Sequence, residues 1–127
     1  MDDADFLLAL GNATLPAAEF SHRAHIRAGY LVLREEESFG LALDRIARMI
    51  RAFAAANNAD GLYHETITVA FMSLIAAAMA ENDPGSWPDF ADAHPELFKA
   101  GLLEHLYGEE ALKSERARQV FLLPGAA

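Results

Sequence analysis

Hydrophobic residues recur at intervals of three and four along the whole chain, and no stretch alternates with a period of two. This spacing is typical of amphipathic helices and not of strands, whose side chains alternate between two faces. Residues 39–56 give the clearest case, because one helical face is apolar and the opposite face is charged. The apolar positions are Phe39, Leu43, Ile46, Ile50 and Phe53, and the charged ones are Asp44, Arg48 and Arg51. The sequence therefore predicts an all-α protein.

Capping residues and helix breakers divide the pattern into a compact bundle of five or six helices. The predicted segments are 3–11, 22–36, 39–56, 63–81, 95–107 and 109–121, with a short turn near 88–92 and a tail at 122–127. Ser21 and Ser38 are good N-caps, and Gly108 is a good stop. The helix over 63–81 is apolar nearly all round, which predicts that it is the central and most buried element.

Three histidines stand near the starts of two predicted helices. His22 and His25, in the stretch SHRAH, lie one turn apart on the inner side of the second helix, and His64 begins the fourth. Short loops join the second, third and fourth helices, so the second and fourth are predicted to run parallel and to begin at the same end. The sequence therefore predicts that the three histidines converge in a polar pocket at that end.

Such a cluster favours metal binding. The positive end of a helix dipole disfavours imidazolium, and a metal ion binds the neutral ring. Three histidines, with Glu65 as a fourth ligand or a general acid/base, resemble a Zn or Fe site in composition, and zinc can lower the pKa of bound water to about 7. The leading hypothesis is a metal-dependent enzyme acting on a small molecule, with His22, His25 and His64 as ligands and Tyr63 as a substrate contact.

Two other interpretations of these residues stay open. In one, the chain is a metal-free small-molecule or regulatory module whose histidines grip an anion at two helix N-termini. In the other, it is an interaction protein, with a homodimer as one option, and the histidine cluster is purely structural. Glu65 would then only complement a helix dipole. His94, directly before Pro95, is a weaker candidate for the same end of the bundle.

Composition and charge limit the binding partners and the cellular compartment that can be expected for this chain. The chain has 127 residues and 53% hydrophobic content, which suits a single domain, 1–127, with one core. Nineteen acidic against ten basic residues give a net charge of -9, which would repel DNA or RNA. The acidic start MDDADFLLAL lacks the cationic region of a secretory signal, and the longest apolar run, 67–80, is too short to span a bilayer. The absence of cysteine excludes disulfides and thiolate metal sites and leaves the compartment open. A cytoplasmic protein that binds no membrane is therefore the default prediction.

Three segments of the chain resemble a family of short, all-helical bacterial proteins that are usually described only as hypothetical. EFSHRAHIRAGYLVLRE (19–35), YHETITVAFMSLIA (63–76) and LKSERARQVFLLPG (112–125) carry the patterns F-x-H-x-x-H, Y-H-x-T and S-x-x-A-R-x-x-F-x-L-P. By position, the resemblance picks out Phe20, His22, His25, Tyr63, His64, Thr66, Ala117, Arg118, Phe121 and Pro124. It implies a role for the histidines but no reaction. It also implies Arg118 as a substrate contact, since a guanidinium can bind a carboxylate or phosphate. Family members often carry Asp after the proline, where this chain has Gly125.

Overall fold

The structure, a computed structural model, describes residues 1–125, and within this range every regular element is helical. It has eight α-helices, five of them with seven or more residues. The α-helices are α1 (Asp3–Gly11), α2 (His22–Glu35), α3 (Phe39–Ala56), α4 (Glu65–Glu81), α5 (Trp87–Ala93), α6 (Leu102–Tyr107), α7 (Glu109–Lys113) and α8 (Glu115–Gln119). Short 3₁₀-helices span Ala17–Glu19, Asp60–Leu62 and Pro95–Phe98. In the described part of the chain, no helix is long and apolar enough to cross a membrane.

The four long helices follow their predicted bounds closely because each begins at a side-chain cap. Asp2, Ser21 and Ser38 each accept a hydrogen bond from the backbone N–H three residues later, at 2.8, 3.2 and 3.1 Å. These bonds satisfy N–H groups that have no partner within a helix. The fourth helix begins at Glu65 rather than at residue 63, because His64 is itself the cap.

The C-terminal third forms shorter helices than the sequence predicts. The helix predicted over 95–107 is a 3₁₀ segment followed by α6, and Gly101 separates them with a left-handed φ of 78°. The helix predicted over 109–121 is two five-residue helices, because Ser114 is extended and caps α8 instead of continuing α7. Residues 1–125 therefore form eight α-helices rather than five or six. Residues 126 and 127 of the predicted tail lie outside the described residues.

Helices α2 and α3 pack antiparallel. Near the start of α2, the ring of Phe20 meets the ring of Phe53 edge-on, with centroids 4.8 Å apart. Near its end, the carboxylate of Glu35 accepts a hydrogen bond from Arg45 at 3.2 Å. The contacts thus run backwards along α3 as they advance along α2.

Helices α2 and α4 run parallel, as the short connections predict. At the start of α2, the ring of His22 meets that of Phe71 with centroids 5.0 Å apart. Further along both helices, the hydroxyl of Tyr30 donates to Asp83, just beyond the end of α4, at 2.7 Å. Between them, Gly29 leaves room for the side chain of Ile75, since a Cβ there would lie 2.8 Å from Cδ1 of that residue. Both helices therefore begin at the same end of the bundle.

The central helix is α2 rather than α4. It contacts α1, α3, α4, α5 and the Pro95–Phe98 segment, and its buried residues include Ile26, Tyr30 and Val32. The prediction that 63–81 is the central element is therefore wrong, although α4 has as many buried residues as α2. Ile67 and Phe71 on α4 line open clefts and are only partly buried. An apolar surface is therefore left on both sides of α4 near its start.

Candidate functional site

His64 joins the start of α4 to α7, and both of its ring nitrogens are engaged. Nδ1 accepts a hydrogen bond from the backbone N–H of Ile67 at 3.1 Å, so this nitrogen carries no proton. Nε2 therefore carries the proton and donates to the carbonyl of Leu112 at 2.6 Å. The residue is only 8% exposed. His64 is thus held as one neutral tautomer, with neither nitrogen left over for another ligand.

Thr66 binds the C-terminal segment to the same helix start. Its side chain is fully buried, and its hydroxyl donates to the carbonyl of Val120 at 3.0 Å and accepts from the N–H of Leu122 at 3.1 Å. The carbonyl of Leu122 accepts a further bond from the hydroxyl of Tyr107 at 2.8 Å. The YHET stretch and the C-terminal segment of the family resemblance are therefore in direct contact.

Tyr63 and Glu65 form a separate hydrogen-bonded pair at the start of α4. The hydroxyl of Tyr63 donates to Glu65 at 2.8 Å, and the guanidinium of Arg51 lies over the Tyr63 ring, 4.1 Å from its centroid. Burial, followed by the hydrogen bond to Glu65, raises the pKa of Tyr63 to about 12, so the phenol is protonated at neutral pH. Arg118 lies further along the surface, with Nη1 3.5 Å from the carbonyl of Gly61.

His94 occupies a different part of the fold. It is 4% exposed, and its nitrogens contact the carbonyl of Asn82 at 2.7 Å and the carboxylate of Glu96 at 3.2 Å. The hydrogen bond to the Asn82 carbonyl raises the pKa of His94, burial opposes this, and Glu96 adds to the increase. His94 therefore fastens the end of α4 to the Pro95–Phe98 segment.

His22 and His25 share a cleft of about 310 Å³ between α2, α3 and α4. Its other lining residues are Ile26, Ile46, Ile50, Ile67, Thr68, Phe71, Met72 and Ile75. The walls are thus apolar except for two imidazoles and one hydroxyl. An engineered apolar cavity of about 150 Å³ holds benzene, so a cleft of this size has room for a substituted ring.

Backbone carbonyls fix both imidazoles of the cleft. Nδ1 of His25 lies 2.8 Å from the carbonyl oxygen of Ser21, and Nε2 of His22 lies 3.1 Å from that of Leu97. A carbonyl can only accept, so each of these nitrogens is an N–H and the other nitrogen of each neutral ring is a bare acceptor. His25 also stacks on Phe20, with centroids 3.6 Å apart and planes 15° apart. The ring has one tautomer and one orientation.

The surroundings of His25 favour its neutral form. Burial of the ring lowers the pKa of His25, the bond to the Ser21 carbonyl opposes this, and the charge of a protonated His22 would lower it further. His25 as a whole is an exposed residue, but its ring lies against Phe20 on one side and borders the apolar cleft. At neutral pH the imidazole therefore offers a lone pair rather than a positive charge.

The structure brings two of the predicted site residues together and separates the others. The lining of the cleft, which falls entirely within residues 1–125, includes His22 and His25 but not Tyr63, His64, Glu65 or Arg118. Over the same range, no group of three or more His, Asp or Glu side chains is placed to hold a metal ion. Thr68 was not predicted as a residue of the site. The signal in the sequence was a hydroxyl in an apolar run, one residue after Ile67.

Comparisons of the chain with protein-family models, with curated proteins and with solved structures find no match. The resemblance to the family of short bacterial proteins therefore stays a prediction. Fold and site together define an all-helical protein with an apolar cleft that carries two imidazoles.

Proposed function

We propose that this chain is a small-molecule-binding module whose site is the cleft of His22 and His25. The observation that carries the proposal is the pair of imidazoles held by backbone carbonyls in the wall of an otherwise apolar volume of about 310 Å³. Ligand sites combine apolar walls with a few well-placed polar groups in this way. The apolar walls of the cleft provide the binding affinity, and the second nitrogen of each ring orients the ligand through a hydrogen bond.

Binding, rather than catalysis, is the activity we propose. A neutral imidazole can act as a general base, but the acid/base groups of most active sites come in pairs with different pKa values. The part of the chain that lines the cleft contributes two imidazoles and no carboxylate. Glu65, the predicted catalytic residue, is engaged by the hydroxyl of Tyr63.

Filling the cleft without touching its polar groups provides the test. In Gly29→Ala, the new Cβ would lie 2.8 Å from Cδ1 of Ile75 and 3.0 Å from Sδ of Met72, so the ends of these two cleft residues must shift. We expect affinity for 4-methylphenol, measured by calorimetry, to fall about tenfold, because one methyl group in a binding pocket has an effect of this order. The free energy of unfolding should change by no more than about 1 kcal/mol, since the helix propensity gained by alanine offsets much of the overpacking.

Gly40→Ala is the matched control, because Gly40 is also helical and nothing lies within 4 Å of a Cβ built there. This variant should bind 4-methylphenol as the wild type does. Equal affinity in Gly29→Ala and Gly40→Ala would place the ligand elsewhere. Failure of the wild type to bind toluene, 4-methylphenol or any related ring would contradict the proposal itself.

A divalent metal ion on His22 and His25 is the second candidate, and the two carbonyl contacts favour it. Histidines that bind metals usually donate their other N–H to a carbonyl or carboxylate, as both rings do here. His64, the third predicted ligand, is bonded at both nitrogens, so Zn or Fe would take its remaining ligands from water or the bound molecule. Such open positions would support the metal-dependent chemistry predicted from the sequence.

Elemental analysis of the untagged protein, purified without chelator and again after loading with zinc or ferrous iron, tests this candidate. We expect near-stoichiometric metal in the wild type and in His105→Ala, whose histidine is exposed on α6. We expect none in His25→Ala. Absence of metal from the loaded wild type would contradict metal binding and leave the small-molecule proposal intact.

A further inference from the structure

In each of the three polar side chains of the cleft, the hydrogen-bond donor already faces a backbone carbonyl. The hydroxyl of Thr68 donates to the carbonyl of His64 at 2.8 Å. The N–H groups of His22 and His25 face the carbonyls of Leu97 and Ser21. Because a hydroxyl and a neutral imidazole each keep lone pairs after donating, all three groups meet a ligand as acceptors.

We infer that the cleft selects apolar molecules that carry a hydrogen-bond donor, such as a phenol, an alcohol or an ammonium group, over isosteric ethers and carboxylates. This inference rests on the proposed function and names its ligand class. A donor head completes bonds that the three side chains leave open. An ether or a carboxylate would place acceptor against acceptor and could form no hydrogen bond with these groups.

An anion would require an imidazole to take up a proton, and the surroundings oppose this. Burial lowers the pKa of His25, and a charge on His22 would lower it further. Two guanidinium groups of α2 have partners outside the cleft. Arg23 lies over the rings of Trp87 and Phe98, and Arg27 binds Asp3 at 2.8 Å. The net charge of -9 also disfavours an anionic ligand.

Within the described residues, the lining of the cleft contains no Asp, Glu, Lys or Arg; Lys99 and Glu104 line a neighbouring cleft that also includes His22. On α3, the guanidinium of Arg51 lies over the ring of Tyr63. On α4, Glu65 accepts the Tyr63 hydroxyl. The titratable groups among the cleft residues of the described chain are His22 and His25 themselves.

A series of ring compounds of similar shape tests the inference. Calorimetry near neutral pH would compare 4-methylphenol and 4-methylbenzylamine with 4-methylanisole, 4-methylbenzoate and toluene. We expect the phenol and the amine to bind at least about tenfold more tightly than the ether and the carboxylate, because the latter leave unpaired acceptors. Equal affinity for the phenol and the ether, or tighter binding of the carboxylate, would overturn the inference.

Variants separate this inference from the proposed function. Thr68→Val and His25→Ala should each reduce the preference for phenol over ether, because each removes one hydrogen-bond acceptor from the cleft. If toluene and every other ring fail to bind, the proposed function fails. If all bind equally, only the selection of donors fails.

Discussion

His64→Ala is expected to lower the free energy of unfolding by about 3 kcal/mol and the thermal midpoint by roughly 10 °C. Two contributions add: the loss of the cap on the N–H of Ile67, about 1 kcal/mol, and the loss of the bond that satisfies the Leu112 carbonyl, about 2 kcal/mol. Urea denaturation followed by circular dichroism measures the change. The effect is large because one ring joins two separate parts of the chain.

His64→Asn separates these two contributions. Asparagine can cap α4 but is too short to reach the carbonyl of Leu112, so about 1 kcal/mol should return. A loss below about 1 kcal/mol in the alanine variant would contradict the structural role of His64.

The long helices could be predicted because their signals are local. Ser38 caps α3 and the periodic apolar face ends at Ala56, so residues at or next to each end of that helix predict where it begins and ends. The breaks at Gly101 and Ser114 could not be predicted in this way, since the apolar periodicity continues through both positions. The break at Gly101 lets the preceding and following leucines reach different clusters: Leu97 joins the main core and Leu103 a smaller one against α4.

The candidate site was predictable to the extent that it depends on helical geometry. The spacing of His22 and His25 places both on one side of α2, and both line the cleft. The inward direction of His64 was also predicted, but its partner is a backbone carbonyl 48 residues further along the chain. Every residue type carries a carbonyl, so no sequence pattern marks the one at Leu112 or the one at Leu97. Long-range partners of this kind decide which histidines remain available.

The segments of the family resemblance acquire an architectural explanation from these contacts. His64 and Thr66, from Y-H-x-T, bind the chain at Leu112, Val120 and Leu122, while Ala117 is completely buried beside them. In the first segment, Phe20 stacks on His25 and holds its ring. Two of the three segments thus close the fold, and the first one shapes the cleft. The residues that hold the fold together are therefore different from those that shape the cleft.

Thr66→Val is expected to release the C-terminal segment and to lower the free energy of unfolding by about 2 kcal/mol. Valine has nearly the same shape, so the packing at this fully buried position is kept while the bonds to Val120 and Leu122 are lost. Hydrogen exchange at the Leu122 amide gives the local readout, and urea denaturation gives the global one. We expect the amide to lose its protection in the variant.

Thr66→Ser is the matched control because it keeps the hydroxyl and removes one methyl group. It should cost about 1 kcal/mol through lost packing and leave the Leu122 amide protected. If valine also leaves that amide protected, the segment over 120–122 is held by the packing of α8 on α4 and by the Tyr107 hydroxyl instead. The threonine would then contribute mainly through its buried methyl group, and serine would become the more destabilising of the two substitutions.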